Sequence, residues 1–359
     1  MNDVALSPAV VIGAGLVGAS VGAALTRAGV EVHLKDRLSS HARVAASRGA
    51  GTTDAVDPAL VRLVVVAVPP ASLAKVIGEA LARYPNATVT DVGSVKGTVL
   101  AALRRTGADL SRYVGSHPMA GSHRVGPLTS RADLFTDRTW VVTPHDTSKA
   151  HAVLTVGELA RVCGARRVTM GAAHHDEAVA QVSHLPMVMS VLTAARLTEI
   201  PDEHLRLAGQ GVRDVTRIAE SDPKLWTQII TANAGAVRDE LVAVHEALAA
   251  LLASWDDPDA LATLLARGRA GTRALPGKHG ADATDYGHVV VTIPDAPGAL
   301  ARLFADIEAA GVNVEDVRIE HDPEREVGYL AVQVTPDKVE PLETAMTAAG
   351  WTLRPADEV

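Results

Sequence analysis

Val10-Val11-Ile12-Gly13-Ala14-Gly15-Leu16-Val17-Gly18 is the stretch whose reading decides the fold. An apolar run ends in G-x-G-x-x-G and passes directly into a helix-forming segment. Gly13 permits a tight turn, Gly15 lets the backbone approach a pyrophosphate, and Gly18 lets the helix pack on the strand. Leu16 and Val17 open that helix, whose free N–H groups face a phosphate anion. The next expected strand ends at Asp36, where a carboxylate accepts bonds from a ribose 2′-OH and repels a 2′-phosphate. The pattern predicts a dinucleotide site that prefers NAD, with Arg37 able to soften the preference by stacking on adenine or tolerating phosphate. Val68 and Pro69 end another strand at the same edge. Consecutive prolines there read either as an extended exit toward the cofactor crevice or as a plain rigid loop.

Outward from that turn, apolar runs at 9–12, 30–35, 63–68, 88–91, 113–115 and 140–143 alternate with amphipathic segments at 16–28, 40–48, 71–83 and 95–106. This rhythm predicts an α/β fold with a doubly wound parallel sheet of the Rossmann type over residues 1–170. Beyond it, segments 171–198, 202–219, 223–254 and 257–268 have helical periodicity, which predicts an all-helical second domain over 171–280. Pro186 should kink the first of these helices. Residues 269–286, with Gly271, Pro276, Gly277, Gly280 and Asp282, read as a linker. A β-α-β-β-α order with a closing strand near 351–354 then predicts a ferredoxin-like α+β module over 287–359.

The chain has 359 residues and a formal charge of −8, which argues against nucleic acid as a partner. Its one cysteine, Cys163, excludes an internal disulfide and reads as a small buried residue on a helix. No basic n-region opens the sequence, and no run of about 20 apolar residues appears. The expectation is a cytoplasmic protein with no membrane association.

Two further motifs carry chemistry. Asp91-Val92-Gly93-Ser94-Val95-Lys96 follows a strand, and Ser94 reads either as a helix N-cap or as a hydroxyl presented to cofactor or substrate. Gly115-Ser116-His117-Pro118-Met119-Ala120-Gly121 reads as a loop at the carboxyl end of the sheet, where such folds bind ligands. The imidazole of His117 can accept a proton near neutral pH. His174, His175 and His184 do not form a convincing ligand set, and no metal site is expected.

With HDEAVAQVSHLP and GVRDVTRIAESDPKLW added, these motifs resemble the prephenate/arogenate dehydrogenase family of tyrosine biosynthesis over about residues 8–280. The resemblance implies NAD-dependent oxidative decarboxylation in a homodimer. It assigns His117 as the group that takes the substrate hydroxyl proton, with Ser94 orienting both. It makes Arg217 the carboxylate clamp, whereas Arg213, on the same helix face, reads as structural. Asp176, Ser183 and Met187, spaced by seven and four, form one stripe of the helix over 171–198, on which Ser183 reads as a polar contact to the substrate side chain. Trp226 matches a wall of the site or is simply core. Two positions depart from the family pattern. Met187 stands where a histidine usually ends Ser-His-x-Pro-His, and His123 where a glutamate is common; both bear on substrate preference.

Near the end, Pro294-Asp295-Ala296-Pro297-Gly298-Ala299-Leu300 and Gly311-Val312-Asn313 resemble an ACT domain. That resemblance implies an amino-acid effector, tyrosine, held near Asp295, Gly298 and Asn313; the alternative is a dimerisation module without ligand. The open alternatives for the whole chain are arogenate or 4-amino-4-deoxyprephenate as substrate, and a ligand sensor that has lost turnover.

Overall fold

The structure, a computed structural model, describes residues 6–120, 126–275, 286–322 and 327–355. Two compact units divide the chain, Met1–Ala250 and Leu251–Val359.

The first unit opens on four parallel strands, β1 (Ala9–Ile12), β2 (Val32–Lys35), β3 (Leu63–Val66) and β4 (Thr88–Asp91), in the order β2-β1-β3-β4. Every residue of β3 is buried, as a strand covered on both faces requires. Alternate residues feed two cores: Val11, Leu63 and Val65 on one face, Val10, Val64 and Val66 on the other. Helices α1 (Leu16–Arg27), α2 (Ser39–Ser47), α3 (Leu73–Arg83) and α4 (Gly97–Arg105) connect the strands. In α3, Leu73, Ile77, Ala80 and Leu81 form the buried stripe of an amphipathic helix. The chain leaves β1 toward β2 on one side and enters β3 on the other, so the β1 and β3 ends flank the switch point where such sheets bind ligands.

The expected strand at 113–115 is displaced. Tyr113 makes only an isolated parallel bridge to Val89, and the strand proper is β5 (Gly115–Pro118). It pairs antiparallel with β6 (Thr139–Thr143), which pairs parallel with β7 (Arg166–Thr169). His117 therefore lies within a strand opposite Val141, not on a loop after one. Helix α5 (Ala150–Val162) joins β6 to β7, and Cys163 caps its end, buried, with burial raising its thiol to about 12.

The segment expected as one kinked helix is α6 (Ala172–Val179), a π-helical turn (Ala180–His184) and α7 (Leu185–Leu197). Pro186, in the first turn of α7, has no N–H for the carbonyl one turn back, so the disturbance sits just upstream of it. Among the described residues, 172–197 is long and apolar enough to cross a bilayer, yet it carries buried His175, Asp176 and His184. Short helices α8 (Asp202–Leu205) and α9 (Gln210–Thr216) precede a 3-10 turn (Arg217–Glu220). The expected helix over 223–254 breaks at Asn233 into α10 (Pro223–Ala232) and α11 (Ala234–Ala253).

In the second unit, α12 (Pro258–Arg273) continues well past residue 268, so the first residues of the expected linker are helical and most of the remainder lies outside the described residues. After it come β8 (Gly287–Pro294), α13 (Ala299–Ala309), β9 (Asp316–Asp322), β10 (Val327–Val334), α14 (Val339–Ala348) and β11 (Thr352–Arg354). They build an antiparallel sheet in the order β11-β8-β10-β9. Val289, Val291 and Ile293 point to a core shared with Leu303, Ile307, Leu342 and Met346. Just before β9 the Glu315 N–H already donates to the Gln333 carbonyl of β10 at 2.8 Å.

Candidate active site

The glycine turn is fixed by backbone contacts. Gly13 has φ +103°, and a Cβ there would lie 2.3 Å from the Ala67 carbonyl oxygen beyond β3. At Gly18 a Cβ would meet the Gly13 oxygen at 1.9 Å. Gly15 has nothing within 4 Å of the place of a Cβ, and it begins α1 without a side-chain cap. The close-packed positions thus hold the turn, while the open one leaves room for a ligand on helix N–H groups that have no partner among the described residues. Asp36 reaches back: its Oδ2 accepts the Ala14 N–H at 2.7 Å and its Oδ1 accepts the Leu38 N–H at 2.8 Å. Leu16 is buried, Val17 half-buried, and Val68 and the exposed Pro69 leave the sheet beside this turn. Beyond them, the Ala71 N–H donates to Gln228 of α10 at 3.3 Å.

His117 rises from a buried polar floor. Lys96 and Asp91, 1% and 0% exposed, form a close ion pair, and Lys96 Nζ also donates to the Ser116 carbonyl at 2.8 Å. The Tyr113 hydroxyl donates to Asp91 Oδ1 at 2.8 Å; burial and that carboxylate push the phenol well above its usual value. Ser116 Oγ donates to the Asp91 carbonyl at 2.8 Å, tying β5 to the end of β4. A buried charge is tolerable only when paired and hydrogen-bonded, and Asp91 and the Ser116 carbonyl give Lys96 both.

The sequence reading missed what touches the catalytic candidate. His117 Nδ1 lies 3.0 Å from His175 Nε2, and His175 Nδ1 lies 2.8 Å from Asp176 Oδ1. Burial first, then His175, Lys96 and His184, push the His117 imidazole well below its usual value. Asp176 also accepts the Lys96 N–H at 2.8 Å and the Gly97 N–H at 2.7 Å, so it caps α4 from another helix. The capping role open to Ser94 is therefore filled by Asp176; Ser94 sits half-buried, two residues before the cap position Lys96.

Asn233 supports the same group from behind, donating to the Asp176 carbonyl at 2.7 Å and contacting His184 Nδ1 at 3.2 Å. Across the π turn, which takes roughly one residue more than an α turn, His184 is the buried residue that shares Asn233 with Asp176, and Ser183 is not. Burial lowers His184 to about 4 against the opposing effect of Asp176, and its ring meets the Trp226 ring edge-on at 6.0 Å. Met187 is buried one turn on and Ser183 is half-buried. Arg213 and Arg217 are both exposed; Arg217 opens the 3-10 turn after α9. His123 lies outside the described residues. The signal available for the missed residues was the HDEAVAQVSHLP motif, which contains His175, Asp176 and His184.

Sequence models of the prephenate dehydrogenase family match residues 21–169, as its nucleotide-binding domain, and 171–266, as its dimerization domain. The chain belongs to the prephenate dehydrogenase family. The probable prephenate dehydrogenase NovF of Streptomyces niveus is 36% identical, over 96% of this chain and 98% of that protein. The prephenate dehydrogenase of Lactococcus lactis is 25% identical, over 93% and 95%. The crystal structure of an Aquifex aeolicus prephenate dehydrogenase in complex with hydroxyphenyl propionate and NAD+ has the same fold. Its TM-score is 0.67 at 24% identity, over 76% of this chain and 99% of that one. Within this prephenate dehydrogenase family member, then, the nucleotide-binding match includes His117 and the dimerization match includes His175, Asp176 and Asn233.

Proposed function

We propose that this chain is a prephenate dehydrogenase: it oxidises and decarboxylates prephenate to 4-hydroxyphenylpyruvate with NAD. The observation that carries this reading is His117, held through one ring nitrogen by buried His175 in a chain of this family. Gly13, Gly15, Leu16, Val17, Gly18, Asp36, Val68 and Pro69 would hold the cofactor, and the open space at Gly15 fits a pyrophosphate against bare helix N–H groups. NAD, when bound, supplies the acceptor for the hydride that leaves the hydroxyl-bearing ring carbon. His117 takes the hydroxyl proton as that carbon becomes a carbonyl, a contribution of about 10²–10⁴-fold in rate. The ring carboxylate departs as carbon dioxide, its bonding pair makes the ring aromatic, and His117 returns the proton to the phenolate oxygen. Ser94 positions the hydroxyl, Arg217 binds a carboxylate, and Ser183, His123, Met187 and Trp226 shape the remaining pocket.

Met187 favours a second reading, in which arogenate, with an amine where prephenate has a ketone, is the substrate: a buried thioether offers no donor to a ketone. The other alternative, 4-amino-4-deoxyprephenate, keeps that ketone and differs only at the ring hydroxyl. We assign residues 1–170 to cofactor binding, 171–280 to substrate binding and dimerisation, and 287–359 to a ferredoxin-like ACT domain. A cytoplasmic homodimer would cover the exposed apolar side chains Val182, Leu192 and Leu207. Asp295 and Gly298 flank the N-terminus of α13, and Asn313 precedes β9, where we place a tyrosine effector. The test offers each of the three substrates with NAD or NADP and follows reduced cofactor, with and without tyrosine. Turnover of prephenate with NAD is expected; turnover of none would overturn the reading in favour of a sensor. Indifference to every aromatic amino acid would leave the tail as a scaffold.

A further inference from the structure

We propose that His175 and Asp176 are positioning residues that lock His117 in its Nδ1–H tautomer, so that Nε2 is the atom that receives the substrate proton. This rests on the reading of His117 as proton acceptor, and it adds which nitrogen acts and what sets it.

The argument is one of donors and acceptors. Asp176 is the fixed end, because its two oxygens already accept the Lys96 and Gly97 backbone N–H groups. A carboxylate in that role offers His175 only an acceptor. The 2.8 Å contact at His175 Nδ1 is then a hydrogen bond only if Nδ1 carries a proton. With one proton on the ring, His175 Nε2 is an acceptor. The 3.0 Å contact from His117 Nδ1 requires the remaining proton on that nitrogen. With one proton on each imidazole, no other arrangement satisfies both contacts. The unprotonated nitrogen left over is His117 Nε2, which has no partner among the described residues.

The rest of the neighbourhood holds this order in place. His175 is fully buried, its backbone N–H bonded to Gly171, and it meets the His117 ring edge-on at 5.2 Å. Asn233 holds the Asp176 carbonyl, fixing the residue that fixes His175. The same carboxylate caps α4 just beyond Ser94, so one side chain sets both the acceptor nitrogen and the turn bearing the serine. Such an arrangement orients a base without itself exchanging a proton with substrate.

Nitrogen-15 NMR of the full-length protein labelled at histidine reads the tautomer directly, with His117 assigned by the signal lost in His117→Asn. The expected result is a protonated Nδ1 and a bare Nε2; a protonated Nε2 would overturn the proposal. Turnover gives a second reading. His175→Leu removes the acceptor and should lower kcat about 10–10³-fold, with the larger effect on kcat than on KM. His175→Gln places an amide oxygen near the lost nitrogen and should recover at least about tenfold of that loss. Unchanged kcat in His175→Leu, or no recovery in His175→Gln when both variants melt as wild type does, would contradict it. If no cyclohexadiene substrate turns over, the proposed function fails, while the NMR measurement still decides this point.

Discussion

The glycine turn and the His117 network are built by opposite means. The turn is a backbone object: Gly13 against Ala67, Gly18 against Gly13, and Asp36 on Ala14, each contact set by the absence of a side chain or by one short carboxylate. The network is a side-chain object drawn from four distant segments. His117 meets His175 across 58 positions, Lys96 meets Asp176 across 80, and Asn233 meets Asp176 across 57. A turn of the first kind tolerates changes wherever space is open. In a network of the second kind Lys96, His175, Asp176 and Asn233 are buried and partnered around a half-buried His117, and loss of one leaves others unsatisfied.

The sharpest way to break the contrast is Asp176→Ala. It strands two backbone donors and the His175 ring, and should cost about 3–5 kcal/mol in urea unfolding, with activity down about 10³-fold. Activity near wild type would mean that the network is only structural. Next is the pair Gly13→Ala and Gly15→Ala. The first forces a strained φ and a clash with backbone, and should cost about 2–4 kcal/mol. The second meets empty space, so stability should change by less than about 1 kcal/mol while NAD affinity falls. Equal melting temperatures for the two would remove the distinction drawn between them.

Asp36→Asn keeps one of the two acceptor oxygens and discards the charge, so the preference for NAD over NADP in kcat/KM should shrink about tenfold. The smallest effect is on pH. His184 titrates at about 4 when folded and near ~6.5 when unfolded, so the unfolded chain takes up the proton first. Its contribution to stability is complete above about pH 6.5 and is lost as pH falls toward 4. His117 shifts in the same direction and adds to the loss. The melting temperature should drop by a few degrees across that window, and by less in His184→Phe.

The same contrast explains what the sequence could reveal. The parallel sheet and its crevice were legible because G-x-G-x-x-G, an all-apolar β3 and the amphipathic α3 are local signals. The second domain was legible as helical, but not its breaks, since the π turn and Asn233 depend on what packs beside them. His117 stood out by its motif, whereas its setting in an antiparallel strand did not, because β5 pairs with a segment 20 residues on. His175 and Asp176 stand in the HDEAVAQVSHLP motif, but nothing local in the sequence says which side chains they meet. Only the closing of α6 over α4 turns them inward.

The most direct test of the account compares wild type with His117→Asn in two assays, NAD binding and NADH formation from prephenate. Asparagine leaves the glycine turn untouched, so NAD should bind within about twofold of wild type while kcat falls about 10²–10⁴-fold. An unchanged kcat would contradict the assignment of His117 as the proton acceptor and, with it, the reading of this site.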